Sequence, residues 1–175
     1  MKPLHVCKVG GSLFDVPDLG ARLNAWIGSR PAERILVIPG GGAAADLVRR
    51  LQPIHGLNDP RAHWLGVRSM SFTACLLAEL LGLPVVTDLR AEHAIFDVYR
   101  FVRADGALPS SWDVTSDSIA ARVAQVHRGR LTLFKSVDLP AGMTWAQAAA
   151  AGLVDRAFPT VAVGLQVDWI NLRAR

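Results

Sequence analysis

The sequence predicts an α/β fold, a three-layer α/β/α sandwich around a mainly parallel sheet, and three observations carry that expectation. Short runs that are apolar at nearly every position, such as Arg34-Ile35-Leu36-Val37-Ile38, alternate with longer stretches of helical periodicity. Strands that are apolar on both faces belong to sheets covered on both sides, as parallel sheets are. The composition agrees: 51% of the 175 residues are hydrophobic and 19% are charged, which excludes a disordered chain and suits one compact core. A single domain spanning residues 1–175 is expected.

The elements follow in order. Leu4–Val9 reads as the first strand, followed by Gly10-Gly11 and a helix from about Pro17 to Ile27. The apolar run 34–38 is the second strand, closed by Pro39 and three glycines, after which helical spacing resumes over Ala43–Leu51. A long helix is expected over His63–Leu81 and short strands at Pro84–Thr87 and Tyr99–Val102. A helix over Ser116–Val126, a strand at Leu131–Phe134, a short helix at Thr144–Ala151 and a closing strand at Leu165–Leu172 complete the chain. The loop Asp105–Trp112, with Gly106 and Pro109, is expected to be the most mobile segment.

Charge and cysteine usage narrow the partners. Nineteen Lys+Arg against 15 Asp+Glu give +4, with no contiguous basic run, so neither nucleic acid nor a membrane surface is expected as a partner. Cys7 and Cys75 have no CxxC spacing, which argues for free thiols, and the five histidines show no metal-ligand spacing, so no protein-held metal is expected. The N-terminus lacks a signal-peptide pattern and no segment reaches about 18 uninterrupted apolar residues, so a cytoplasmic protein is expected. Five tryptophans in so apolar a chain suggest a subunit surface, and hence a homo-oligomer, a two-fold dimer.

Candidate chemistry collects at the carboxyl ends of the strands, where open α/β sheets bind ligands. Lys8-Val9-Gly10-Gly11-Ser12 ends the first strand, and Pro39-Gly40-Gly41-Gly42-Ala43 ends the second and runs directly into a helix. Paired glycines let backbone N–H groups approach an anion, and a helix N-terminus adds partial positive charge. Trp112-Asp113-Val114-Thr115-Ser116-Asp117 opens a helix with Asp117 in its first turn, and Lys135 ends an apolar strand. Each feature also has a plain structural reading: a tight turn, a helix start, a snorkelling lysine. Only three of the 19 cations are lysines, however, and two of them, Lys8 and Lys135, end strands. No Walker A loop is present, and the loose G-x-G-x-x-A match at Gly40–Ala45 lacks the acidic residue that a dinucleotide site needs. Cations, glycine loops and an organising carboxylate together suit phosphoryl transfer, which needs positioning and charge stabilisation more than covalent chemistry.

In order along the chain, KVGGSL, IPGGG-AAADLVR, TSDSIAAR and LFKSVD resemble the amino acid kinase superfamily over about residues 4–140. With Ala62-His63-Trp64 and the WDVTSDS form, they are most similar to its small aspartokinase-like branch, which includes phosphate kinases of methanofuran biosynthesis. The resemblance implies an amino acid kinase-like domain and an ATP-dependent kinase acting on a small-molecule phosphate or carboxylate, an aminomethylfuran phosphate if it extends to that branch. It implies Lys8, Asp117 and Lys135 as catalytic residues, with Gly10, Gly11, Ser12, Ser136, Val137 and Asp138 along the ATP. Gly40, Gly41 and Gly42 would hold the acceptor, with Asp46, Arg49 and His63 on helices leading from them, although Asp46 and Arg49 also suit a simple i,i+3 ion pair. Mg²⁺ would be held mainly by ATP oxygens. Larger members carry a GGM segment followed by a lysine; here Ala141-Gly142-Met143 stands in that region and no lysine follows Lys135. A non-catalytic anion- or nucleotide-binding protein of the same fold is the alternative.

Overall fold

The computed structural model describes residues 2–174. Six parallel strands form one sheet in the order β3-β4-β2-β1-β5-β6. They are β1 (Leu4–Val9), β2 (Arg34–Pro39), β3 (Val85–Val86), β4 (His93–Phe96), β5 (Arg130–Lys135) and β6 (Val167–Asn171). The helices are α1 (Leu19–Gly28), α2 (Gly42–Ile54), α3 (Asp59–Leu81), α4 (Tyr99–Asp105), α5 (Ser116–Val126), α6 (Trp145–Ala150) and α7 (Phe158–Val161). A 3₁₀ turn over Gly11–Leu13 follows β1.

The sheet has a core on each face, which makes three layers. On one face Val6, Leu36, Ala94, Phe96, Leu131 and Leu133 pack with Ile119, Ala120 and Val123 of α5 and Phe158 of α7. On the other, Cys7, Val9, Val37, Ile95 and Phe134 pack with Leu19 and Leu23 of α1 and with Ala74 and Leu77 of α3. Central strand β1 is buried along almost its whole length because β2 and β5 flank it and helices cover both sides. The long helix α3 starts on an Asn58 cap, whose Oδ1 accepts the Arg61 N–H, has Pro60 in its first turn, and stops at the left-handed Gly82. Among the described residues it is the one helix long and apolar enough to cross a bilayer, yet it lies against the sheet and contributes to both cores.

Two expectations are corrected. Tyr99–Val102 is not a strand but the start of α4, and the strand beside β2 is His93–Phe96. Asp97 is the cause, since its Oδ1 accepts the Tyr99 N–H at 3.0 Å and the Ser71 hydroxyl at 2.8 Å, turning the chain into a helix straight after Phe96. The segment 105–112 is tied down at both ends, by a bidentate Arg122–Asp105 pair and by a bond from Trp112 Nε1 to Gln52 Oε1.

The tryptophans do not form a common outer surface. Trp26 meets His5 and Phe134, Trp64 meets His63 and Tyr99, Trp112 carries Arg49 on its ring, and Trp145 stacks with Trp169. The large apolar side chains left exposed on α3 are Leu65, Phe72, Leu76 and Leu80, with Phe72 67% exposed.

Candidate active site

Strand periodicity and register put two lysines over one helix. In β1, Val6 and Lys8 point to the face that α5 covers, and in β5, Leu131, Leu133 and Lys135 do the same. Lys8 pairs in register with Leu133, so Lys135 projects one pleat further along the neighbouring strand. The chain leaves β1 toward α1 on one face and β5 toward α6 on the other, so a crevice opens between their carboxyl ends. Lys135 lines the cavity at that edge, and Lys8 is buried beside it.

Asp117 joins them. Its Oδ1 lies 2.9 Å from Lys8 Nζ, and its Oδ2 accepts a 2.8 Å hydrogen bond from Lys135 Nζ, which also donates to Leu153 O at 2.6 Å. Lys8 and Asp117 are 4% and 5% exposed. Buried ion pairs carry a desolvation penalty that often equals their attraction, so stability alone gives little reason to build this one. Burial works against ionised Asp117, but the two lysines outweigh it and hold the carboxyl below the usual carboxylate range. Lys135 is pushed down to about 8, by burial first and by Lys8 second, against the opposing pull of Asp117 and Asp155. The two groups couple to stability with opposite signs. The Asp117 contribution is present above the ordinary carboxylate pKa and is lost as pH falls through the lowered folded value. Protonated Lys135 opposes folding, and that opposition is relieved as pH rises from about 8 toward 10.5.

The glycine loops lie against each other beside this centre. A Cβ on Gly11 would stand 2.5 Å from both Cα and N of Gly42, and one on Gly40 would meet the Gly11 nitrogen at 2.8 Å. Gly42 opens α2 at φ +53°, the left-handed region that glycine enters without strain. Gly10 donates its N–H to Phe134 O at 2.9 Å, and Thr73 donates its hydroxyl to Gly40 O at 2.9 Å, fixing each loop to its neighbours. No side chain caps the start of α2, and Gly41, Gly42 and Ala43 at that start line the adjoining cavity.

That cavity has a volume of about 700 Å³. Its lining combines the glycine loops, Gly11, Ser12, Gly40, Gly41 and Gly42, with the apolar side chains of Val67, Met70, Val114 and Ile119. Trp112 closes over Gly66, where a Cβ would clash with the indole at 2.7 Å. His63 also lines it; its Nδ1 donates to Ser111 O at 2.8 Å, and burial lowers its pKa, so the ring is neutral at pH 7. Asp46 and Arg49 stand on its wall in a partly exposed 2.9 Å pair with each other, with the Arg49 guanidinium over Trp112. They form an i,i+3 pair and also line the cavity.

A second cavity of about 730 Å³ adjoins it on the Lys135 side and is lined by Asp117, Lys135, Gly152, Leu153, Asp155 and Arg156, among others. Ser12 and Ser136 meet through their hydroxyls at 2.8 Å, bringing the first glycine loop to the end of β5. Val137 and Asp138 are exposed just beyond; Val137 O accepts the Trp169 indole N–H, and Asp138 lines a smaller hollow with Trp169 and Asn171. Lys8, Lys135, Ser136 and the two glycine loops thus meet at the carboxyl ends of β1, β2 and β5, whereas Asp46, Arg49 and His63 stand on α2 and α3 and Asp138 lines a separate hollow.

Three participants escaped sequence reasoning. Trp112 walls the first cavity, and Arg173 reaches its mouth from beyond β6, donating to Ser12 O at 2.6 Å and pairing with Asp15 at 2.5 Å. Asp155 accepts the N–H and hydroxyl of Thr115 and of Ser118, so the helix-start residues bond outward to a distant carboxylate. Asp155 and Arg173 have no motif around them, and Trp112, although it opens the WDVTSDS segment, carried no sign of its place in the cavity wall.

Comparison with known proteins agrees with the fold. The chain is 26% identical over 138 residues to the [5-(aminomethyl)furan-3-yl]methyl phosphate kinase of Methanocaldococcus jannaschii, a match covering 70% of this chain and 61% of that protein. Its fold is similar to uridylate kinase from Archaeoglobus fulgidus, with a TM-score of 0.67 at 13% identity over 96% of this chain and 90% of that one. It is also similar to aspartate kinase from Synechocystis, with a TM-score of 0.63 at 13% identity over 95% of this chain and 38% of that one. No family model matches the chain.

The shared carboxylate gives a direct expectation. Asp117→Asn removes the charge that holds Lys135 protonated, so its titration should move below about 8, with one of the two facing ammonium groups becoming neutral. With three lysines in the chain, ¹³Cε-lysine NMR follows each one. A Lys135 midpoint that stays put or rises in the variant would show that Asp117 is not its counter-ion.

Proposed function

We propose that this chain, which has the amino acid kinase fold and resembles that superfamily in its motifs, is an ATP-dependent kinase of a small phosphorylated molecule. The observation that carries the reading is the pair of strand-end lysines sharing one buried carboxylate beside a glycine-lined cavity. The chain spans 61% of the length of the curated relative it matches.

The acceptor fits the first cavity. Its glycine lining and the uncapped start of α2 suit an anionic phosphate. Its apolar lining, with Val67, Met70, Val114 and Ile119, suits a compact apolar ring. An aminomethylfuran phosphate, the substrate class in the relative's name, has both parts. ATP lies on the Lys135 side, with its phosphates toward Gly10, Gly11 and Ser12 and its remainder along Ser136, Val137 and Asp138.

In the transfer, an acceptor phosphate oxygen attacks the γ-phosphorus of ATP. The bond from that phosphorus to the β,γ-bridging oxygen breaks, and ADP leaves with the electron pair. Lys8, adjoining both glycine loops, bears on the transferring group, and Lys135 bears on the charge developing on the departing diphosphate. Asp117 touches both ammonium groups and keeps them apart and oriented, so it has no proton to transfer. Mg²⁺ would enter on the ATP phosphates, whose charge it would help neutralise.

The same reading includes a two-fold dimer through the exposed apolar face of α3, in a cytoplasmic protein with neither nucleic acid nor membrane as partner. Phe72→Asp should then halve the mass seen by light scattering at micromolar concentration; a wild-type monomer would contradict the dimer.

The activity itself is read by ³¹P NMR with ATP, Mg²⁺ and a panel of aromatic hydroxymethyl phosphates, UMP and aspartate. A new diphosphate from an aromatic phosphate is expected, and binding without turnover of any acceptor would favour the non-catalytic alternative. Lys8→Ala should retain the fold by circular dichroism and lose about 10²–10³ in turnover, the value of one donor to transition-state charge. A variant retaining more than about a tenth of wild-type turnover would remove Lys8 from its role.

A further inference from the structure

Asp155, on the connection between α6 and α7, is a half-buried carboxylate beside the lysine–aspartate centre that the transfer described above does not use. Its Oδ2 accepts the Thr115 N–H, the Thr115 hydroxyl and the Ser118 N–H, each at 2.9 Å. Its Oδ1 accepts the Phe158 N–H at 3.0 Å and the Ser118 hydroxyl. Burial first and Asp117 second push its pKa above the ordinary carboxylate value, and the bonds from Ser118 and Thr115 oppose that. Three of the five partners are backbone N–H groups, which can only donate and so favour the ionised carboxylate. Asp155 therefore does for α5 what an N-cap side chain does for an ordinary helix. Thr115, at the cap position, makes no side-chain cap bond of its own.

The turn held in this way carries Asp117. Displacing it along the helix axis or rotating it would move the Asp117 oxygens off one lysine or the other, because the two contacts are 2.9 and 2.8 Å. The charges point the same way. Lys135 is faced by Asp117 from α5, by Lys8 from β1 and by Asp155 from the α6–α7 connection, with the Trp169 ring of β6 and the Leu153 carbonyl completing its surroundings. Two ammonium groups thus stand against two carboxylates. Without Asp155 the centre would carry a net positive charge in a poorly solvated crevice.

We propose that Asp155 is a positioning residue for this centre: it locks the first turn of α5 so that Asp117 spans both lysines, and it supplies the second negative charge that balances them. Its catalytic consequence rests on the kinase reading, whereas its effect on Lys135 does not.

The test compares Asp155→Asn, which removes the charge, with Ser118→Ala, which removes one hydrogen bond and leaves the charge in place. ¹³Cε-lysine NMR is expected to show the Lys135 midpoint displaced to lower pH in Asp155→Asn, because the carboxylate favours the ammonium form. Ser118→Ala is expected to lower the melting temperature and leave that midpoint at its wild-type position. In turnover, Asp155→Asn should lower kcat between about tenfold and a hundredfold, move the alkaline limb of the pH–rate profile down, and change the acceptor KM little. A Lys135 midpoint unmoved in a folded Asp155→Asn protein, or one moved equally by Ser118→Ala, would reduce Asp155 to a helix cap and overturn the proposal. Should Asp155→Asn not fold, Asp155→Glu decides: it keeps the charge and should keep the midpoint, and a displaced midpoint there overturns the proposal. Absence of turnover by the wild-type protein with every acceptor would count against the kinase reading and leave the titration result standing.

Discussion

One buried carboxylate, Asp117, sets the arrangement of this molecule's functional edge. It is the point where the central strand, its neighbour β5 and the helix α5 meet through side chains rather than through backbone. Lys8 and Lys135 project from adjacent parallel strands onto one face, and without an anion between them their charges would repel across a crevice that water enters poorly. The carboxylate turns that liability into a fixed pair of cations. The arrangement contributes little net stability, since desolvation offsets the attraction, and its value lies in holding charge where a substrate anion can use it.

Close approach of backbone to backbone is the second constraint. The glycine loops after β1 and β2 touch at Gly11 and Gly42 more closely than any side chain would allow, and Trp112 rests on Gly66 in the same manner. Steric need therefore explains these glycines before any ligand is considered. The functional consequence follows from it: with no side chains between them, the loops and the uncapped start of α2 line a cavity that apolar side chains also line. Packing and binding draw on the same absence of Cβ atoms, so a glycine-rich pattern alone does not separate the two.

What was legible in the sequence was local or periodic. The strands β1, β2 and β5 announce themselves by unbroken apolar runs, and the parallel three-layer fold follows from them. Lys8, Asp117 and Lys135 stood out because lysine is scarce in the chain and each of the three sits at the end of a strand or the start of a helix. The strand β4 went unseen because its four residues follow a polar stretch, and Tyr99–Val102, equally apolar, drew the assignment; the deciding Asp97 contacts include a hydroxyl 26 positions away. Asp155, the cavity role of Trp112 within its WDVTSDS segment, and Arg173 were invisible for a related reason. Their partners lie 37 and 40, 60, and 158 to 161 residues distant, and no local pattern encodes such a meeting.

The central claim is that Asp117 acts through the two lysines and has no separate task of its own, and a double-mutant cycle on turnover tests it most directly. Lys8→Ala, Asp117→Asn and the double variant are compared with wild type under saturating ATP and acceptor. If the three groups form one unit, the double variant should be little worse than the more damaging single variant, with a coupling energy of about 2 kcal/mol or more. Losses that simply multiply, leaving a coupling energy near zero, would mean that Asp117 and Lys8 act independently, and the shared carboxylate would cease to be the organising element of the site.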